Sequence, residues 1–332
     1  SFGEFLVKAP SSAQFDNPLP ILPEDGKTFI LALTPPKADS DRPVFSFKGK
    51  GLFDAAEGGL GGALAVVAGA YYGSQDYTLE ILADGAVGSD KSLSLYASDL
   101  NAVGARIMTL GGVAHRVSTT QSTSIQVLVG AGMPNQPNFS YTGFGGIAVR
   151  EGAVLEGPQV LLIADRNADV LVESGARITT LGKGDPAFDS TMGYTLMANN
   201  VNLLAVSNGL LEFTSNTAAA GSTGVITVED GASLYSDGTL SFVTPGAVSL
   251  GENVNYGARY LAFASGAVNI GTSEALGQAK TDGVLPSGIA LNQSVLDRLM
   301  AGDQSTGAPK LERLILSASQ SVNFYGSVSL DT

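Results

Sequence analysis

Two short groups of acids carry the residue types for work on a sugar chain: Asp165 and Asp169 in ADRNAD, and Glu229 and Asp230 in VEDG. A glycosidic bond is hydrolysed between two carboxyl groups, and a polysaccharide lyase pairs a base with calcium or an arginine. The competing reading is turn chemistry: Glu229 alternates with Val228 and so points outward, and Asp230 before Gly231 has the composition of a turn. Asp165, Asn167 and Asp169 place oxygens at alternate positions, as a calcium loop does, but the central Gly and closing Glu of that loop are missing. The single histidine, His115, sits beside Arg116, and no G-x-S-x-G elbow supplies a nucleophile for it. Cysteine is absent, which excludes disulfides, thiolate catalysis and cysteine-bound metals. The glycine pairs Gly58-Gly59 and Gly61-Gly62 fit neither nucleotide-binding fingerprint. These residues lead us to expect no enzyme, no cofactor and no metal, with turn chemistry for the acids.

A binding role finds more support between Gly130 and Gly146, where GAGMPNQPNFSYTGFGG reads as an outward loop. Asn135, Gln136, Asn138, Phe139, Tyr141 and Phe144 combine amides with aromatic faces, the groups that recognise sugars or protein surfaces. The expected partner is a glycan or protein on a host or bacterial surface. The competing reading is that these rings fold back over the core. Tyr71 and Tyr72 form a weaker pair of the same kind.

The elements that position these residues are announced by a recurring phrase. Gly85-Ala86, Gly152-Ala153, Gly175-Ala176, Gly231-Ala232, Gly246-Ala247 and Gly266-Ala267 are flanked by short alternating apolar runs. Each run is too short for a helix and has the period of a strand with one buried face. Runs of four or five residues must stack on neighbours to persist, which is the logic of a solenoid. The expected fold is therefore all-β, a single-stranded right-handed parallel β-helix with a short inserted helix near 292–300 capped by Asn292; a β-sandwich is the alternative. Residues 1–48 read as a proline-rich extended connector or cover with short strands, among them Lys27 to Thr34. Residues 49–332 read as the helix of coils, with excursions near 130–146 and 182–193 and an insertion near 272–310. The Gly/Ala-rich stretch from Gly49 to Gly73 reads as a coil insertion or small-residue turn, and Asn101 to Leu110 as strand-like.

Only 15% of residues are charged and 7% aromatic, the sparing composition of thin coils filled by Ala, Val, Leu and Ile. A net charge of −13 argues against nucleic acid and against anionic lipid. No apolar run reaches membrane-spanning length, so no membrane insertion is expected. A start at Ser1 without a signal segment suggests a processed product or a fragment.

The block KLERLILSASQSVNFYGSVSLDT at 310–332, with LAFASGAVNIG at 261–271 and VLVESGARITTLG at 170–182, resembles the filamentous-haemagglutinin-like large exoproteins of Gram-negative bacteria. That resemblance implies a right-handed parallel β-helix passenger, secreted or held at the bacterial cell surface by two-partner secretion. It further implies an outer-membrane transporter as partner of the parent protein, and a role in attachment, aggregation or biofilm formation. The Asn-Pro motifs of the secretion domain and a terminal toxin are not recognisable. The function expected from the sequence is thus a non-catalytic structural or adhesive segment; the alternatives are a β-helical polysaccharide-degrading enzyme and a phage tailspike segment.

Overall fold

A computed structural model describes residues 25–34, 45–49, 51–57, 59–69, 74–118, 122–130, 132–133, 136–216 and 221–329. In chain order the strands begin with β1 (Thr28–Leu33), β2 (Ala63–Gly69), β3 (Thr78–Leu82) and β4 (Ser92–Tyr96), followed by helix α1 (Ala97–Val103). Next come β5 (Ile107–Leu110), β6 (Val113–Ser118), β7 (Thr123–Leu128), β8 (Gly132–Met133), β9 (Gln136–Thr142), β10 (Gly146–Val149) and β11 (Val154–Glu156). The middle holds β12 (Gln159–Asp165), β13 (Asp169–Val172), β14 (Arg177–Thr179), β15 (Tyr194–Asn199), β16 (Val201–Ser207), β17 (Phe213–Asn216), β18 (Val225–Val228) and β19 (Ser233–Tyr235). The last part contains β20 (Thr239–Val243), β21 (Ala247–Leu250), β22 (Asn255–Gly257), β23 (Tyr260–Gly271), α2 (Ser273–Thr281), β24 (Ile289–Asn292), α3 (Gln293–Ala301) and β25 (Arg313–Tyr325).

Three walls surround the principal core. The first is a parallel ladder running β4, β3, β10, β13, β18, β21, β24. The second is the short parallel ladder β11, β14, β19, β22. The third runs β1, β2, β5, β12 in parallel, takes β16 antiparallel between β12 and β20, and finishes in parallel through β23 to β25. Because β24 pairs with both β21 and β23, the first and third walls, with the β8–β9 hairpin attached at β2, are one 17-stranded sheet that doubles back and nearly closes on itself.

The Gly-Ala phrase forms corners of these walls at Gly152, Gly175 and Gly231, whereas Gly266-Ala267 lies inside β23. Gly152, Gly175 and Gly231 take φ of 74°, 75° and 84°, a region that costs a side chain energy, and the alanine that follows each is buried. The amides of Ala153, Ala176 and Ala232 close each turn on the carbonyls of Arg150, Glu173 and Glu229 at 3.0, 3.0 and 3.1 Å.

The middle of the third wall, β2, β5, β12, β16 and β20, is buried on both faces. Val160, Leu162 and Ala164 of β12 point into the principal core, while Leu161 and Ile163 pack with Ile125, Val127, Leu196 and Ala198 of an outer sheet. That outer sheet is made of antiparallel β6 and β7, continued in parallel by β15 and β17. Two-faced burial explains why β2, ALAVVAG, and β12, QVLLIAD, are continuous apolar runs rather than alternating ones.

These observations overturn the expected single-stranded right-handed parallel β-helix and the filamentous-haemagglutinin-like resemblance that rested on it. A repetitive passenger has one-faced parallel coils; this chain has a mixed, nearly closed sheet, an antiparallel strand within its wall, a second covering sheet and three α-helices among the described residues. The strand-like reading of Asn101 to Leu110 fails in its first half, because Ala97, Leu100 and Val103 at helical spacing all turn into the core and Gly104 ends α1 at φ 70°. The Gly49 to Gly73 stretch is likewise corrected: it contains β2, a fully buried strand. Its close neighbours explain the small residues, since a Cβ on Gly62 would stand 2.5 Å from the Lys27 carbonyl oxygen. Most of the proline-rich start lies outside the described residues. Among the described residues, no helix is long and apolar enough to cross a membrane.

Candidate active site cleft

The four acids singled out in the sequence all hold the backbone. Asp169 Oδ1 accepts from the Val225 amide at 2.8 Å, Glu229 Oε2 from the Ser174 amide at 3.1 Å, and Asp230 Oδ1 from the Asn253 amide at 2.8 Å. Asp165 Oδ1 accepts from the Asn167 amide at 3.1 Å and also lines a hollow of about 480 Å³ together with Gln75, Thr142, Phe144 and Asn167. The fold thus brings Asp165 to the base of the 130–146 excursion, puts Asp169 at the start of β13 and leaves Glu229 and Asp230 at the turn after β18. His115 stands on β6 with Nδ1 buried and without a hydrogen-bond partner, and burial pushes its pKa down.

The proposed binding loop is an antiparallel hairpin of β8 and β9 whose far end pairs with β2. Tyr141 is 2% and Phe144 3% exposed, so both rings pack inward: Tyr141 against Ala65, Val67 and Val113, Phe144 into the principal core. Asn135, Tyr71 and Tyr72 lie outside the described residues, as do the side chains of Gln136, Asn138 and Phe139.

The interior is more polar than thin coils require. Gln159 is fully buried and satisfied on both sides: its Nε2 donates to Phe188 O at 2.6 Å and Ser207 Oγ at 2.8 Å, and its Oε1 accepts from the amides of Ala187 and Phe188 at 3.0 and 3.3 Å. Buried Thr244 donates to Asn202 Oδ1 at 2.5 Å, and Asn202 Nδ2 donates to Ala168 O at 2.8 Å. Buried Glu80 accepts from the Ser89 amide at 2.9 Å, from Ser94 Oγ at 3.2 Å and from Arg150 Nε at 2.9 Å, and Arg150 also pairs with Glu173. Burial alone would raise the Glu80 pKa; the Ser89 hydroxyl and amide, Ser92 and Arg150 outweigh it and bring it down to about 2.

Such networks fix one geometry, because a buried polar group left unpaired in low dielectric is costly. The buried polar network and nearly closed sheet therefore overturn the expectations of a non-catalytic adhesive repeat and of a chain that is not an enzyme. They are the framework of a folded domain able to hold side chains in place for chemistry.

One cleft of about 430 Å³ gathers acids and bases from four parts of the chain. Its walls come from the 51–57 segment, the end of α1, the turn after β11 and the turn after β14. Arg106 Nη2 meets Asp54 Oδ1 at 2.7 Å, and Lys183 Nζ meets Glu156 Oε2 at 2.6 Å. Asn101 ties two walls together: its Nδ2 donates to Val154 O at 2.8 Å and its Oδ1 accepts from the Glu156 amide at 2.9 Å. The side chains of Arg106, Glu156 and Lys183 are 37%, 38% and 35% exposed, held on one side and open to solvent on the other. Gly184, at φ 91°, lets the backbone pass Arg106: a Cβ there would be 3.3 Å from its Nη1.

The sequence reading missed Asp54, Asn101, Arg106, Glu156 and Lys183, which no local spacing connects. The available signal was weak: Glu156 ends an alternating run before Gly157-Pro158, and Lys183 opens the 182–193 excursion. No protein-family model, no curated protein and no solved structure matches this chain.

Proposed function

We propose that this chain acts on an acidic polysaccharide and that the Asp54–Arg106–Glu156–Lys183 cleft receives the uronate unit at which the chain is cut. The observation that carries this reading is the convergence of two carboxylate–cation pairs in one cleft large enough for a sugar unit. Each carboxylate of the cleft is partnered by a basic side chain, whereas glycoside hydrolysis works between two carboxyl groups facing one bond. The arrangement supports base-assisted β-elimination instead. A guanidinium neutralises the uronate carboxylate, a base removes the C5 proton, the bond between C4 and O4 breaks, and the C5–H electron pair becomes a C4–C5 double bond. The departing O4 leaves with a proton from water. Arg106 is assigned to the uronate and the Glu156–Lys183 pair to proton removal.

Although the chain is strongly acidic, fields from distant carboxylates are screened beyond about 8 Å at physiological salt, and within the cleft the two cations balance the two carboxylates. The test is incubation with a polyuronate, following the ultraviolet absorbance of the unsaturated product, beside a neutral glucan as control. Product from the polyuronate alone, lost in Arg106→Ala and Lys183→Ala, is expected. Absence of both product and polyuronate binding would refute the assignment.

A further inference from the structure

The two ends of the principal core are finished differently. At the first, α1 lies beside β4 and inserts Leu100 and Val103, which are 0% and 1% exposed. At the other, the outer edge of the 13-residue strand β25 is bare: among the described residues β25 pairs only with β23. Its core-facing side chains stand over those of β23, Leu314 on Leu261, Leu316 on Phe263, Val322 on Val268 and Phe324 on Ile270. Yet Val322 is 49% and Phe324 60% exposed, whereas Val268 and Ile270 are fully buried.

A long bare edge normally carries a charge or a proline that blocks pairing. Residues 314–325, LILSASQSVNFY, contain neither, in a chain with a net charge of −13. The register shift near Ser265 and Ala267 leaves one extra residue on β25, so Leu314, Leu316, Val322 and Phe324 all fall on even numbers. The stretch is therefore complementary to its own reverse. In an antiparallel pair centred on Ser319, Leu314 of one copy faces Phe324 of the other, and Leu316 faces Val322.

We propose that β25 is a dimerisation edge, covered by a second copy of this chain through antiparallel β25–β25 pairing about a two-fold axis at Ser319. The pairing satisfies the open backbone edge of both copies at once and joins the two cores end to end. It does not depend on the polysaccharide reading.

The absence of cysteine makes the test clean. Directly opposed residues of an antiparallel pair have Cβ atoms about 4.5–5.5 Å apart, close to disulfide reach. Light scattering of the whole chain is expected to give a two-copy mass, and Ser319→Cys to cross-link into a covalent dimer on mild oxidation. Phe324→Lys, and separately Val322→Lys, should weaken the dimer at least about tenfold and suppress that cross-link while the circular dichroism of the fold is kept. A single-copy mass at every concentration overturns the proposal, as does a mass above two copies, which would indicate stacking into filaments. So does a dimer indifferent to both lysine variants, or one that Ser319→Cys fails to lock.

Discussion

Replacing Glu80 by Gln tests whether the buried network stabilises this fold as its geometry implies. The carboxylate is 1% exposed and binds the Ser89 amide, Ser94 and the Arg150 guanidinium, which is itself 28% exposed. Its pKa falls from an ordinary 4.5 to about 2 on folding. A shift of that size corresponds to about 3 kcal/mol, and the solvent reaching Arg150 reduces it to roughly 2–3 kcal/mol. Because the folded pKa is depressed, this stability is fully present above the unfolded value of 4.5 and is lost as pH falls from there towards about 2. Urea unfolding of the parent chain and of Glu80→Gln, measured from neutral pH down to pH about 2, separates this group from every other acid. The variant should be less stable by roughly 2–3 kcal/mol at neutral pH, and the gap should narrow across the acid window. Equal stability at neutral pH, or a gap that stays constant to the lowest pH, would show that the Glu80–Arg150 pair only offsets its own desolvation.

Gly111 adopts φ 93°, and a Cβ there would lie 2.4 Å from the Ile163 carbonyl oxygen, a backbone atom of the doubly covered wall. Gly111→Ala is expected to cost about 2–4 kcal/mol, read as a lower urea midpoint with an unchanged slope. Asn292 Oδ1 caps α3 by accepting from the Val295 amide at 2.9 Å. Asn292→Ala should cost about 1 kcal/mol, and Asn292→Ser should recover most of it in the same thermal melts.

The local elements were readable where chain-neighbour forces decide them. Short alternating runs and Gly-Ala corners become strands and turns, and the 292–300 helix appears because Asn292 supplies its cap while Val295, Leu296 and Leu299 supply one apolar face. What misled the reading was the assumption that each strand has one buried face. β2 and β12 have two, and an apolar run without alternation does not say which sheet lies on its far side. Helix α1 was obscured because its seven residues are too few for a periodic signal, and α2 carries only two buried side chains.

For the cleft the separation is sharper. Composition sets the chemistry on offer: many acids, few bases, one histidine, no cysteine and a turn after nearly every strand. Which of these groups meet depends on long-range packing. Asp54 reaches Arg106, and Glu156 reaches Lys183, because α1 and the turns after β11 and β14 are stacked at one corner of the walls. Stacking is governed by ladder register and by the closing of the sheet through β24, interactions between residues remote in sequence that leave no mark on the local spacing of the side chains they bring together.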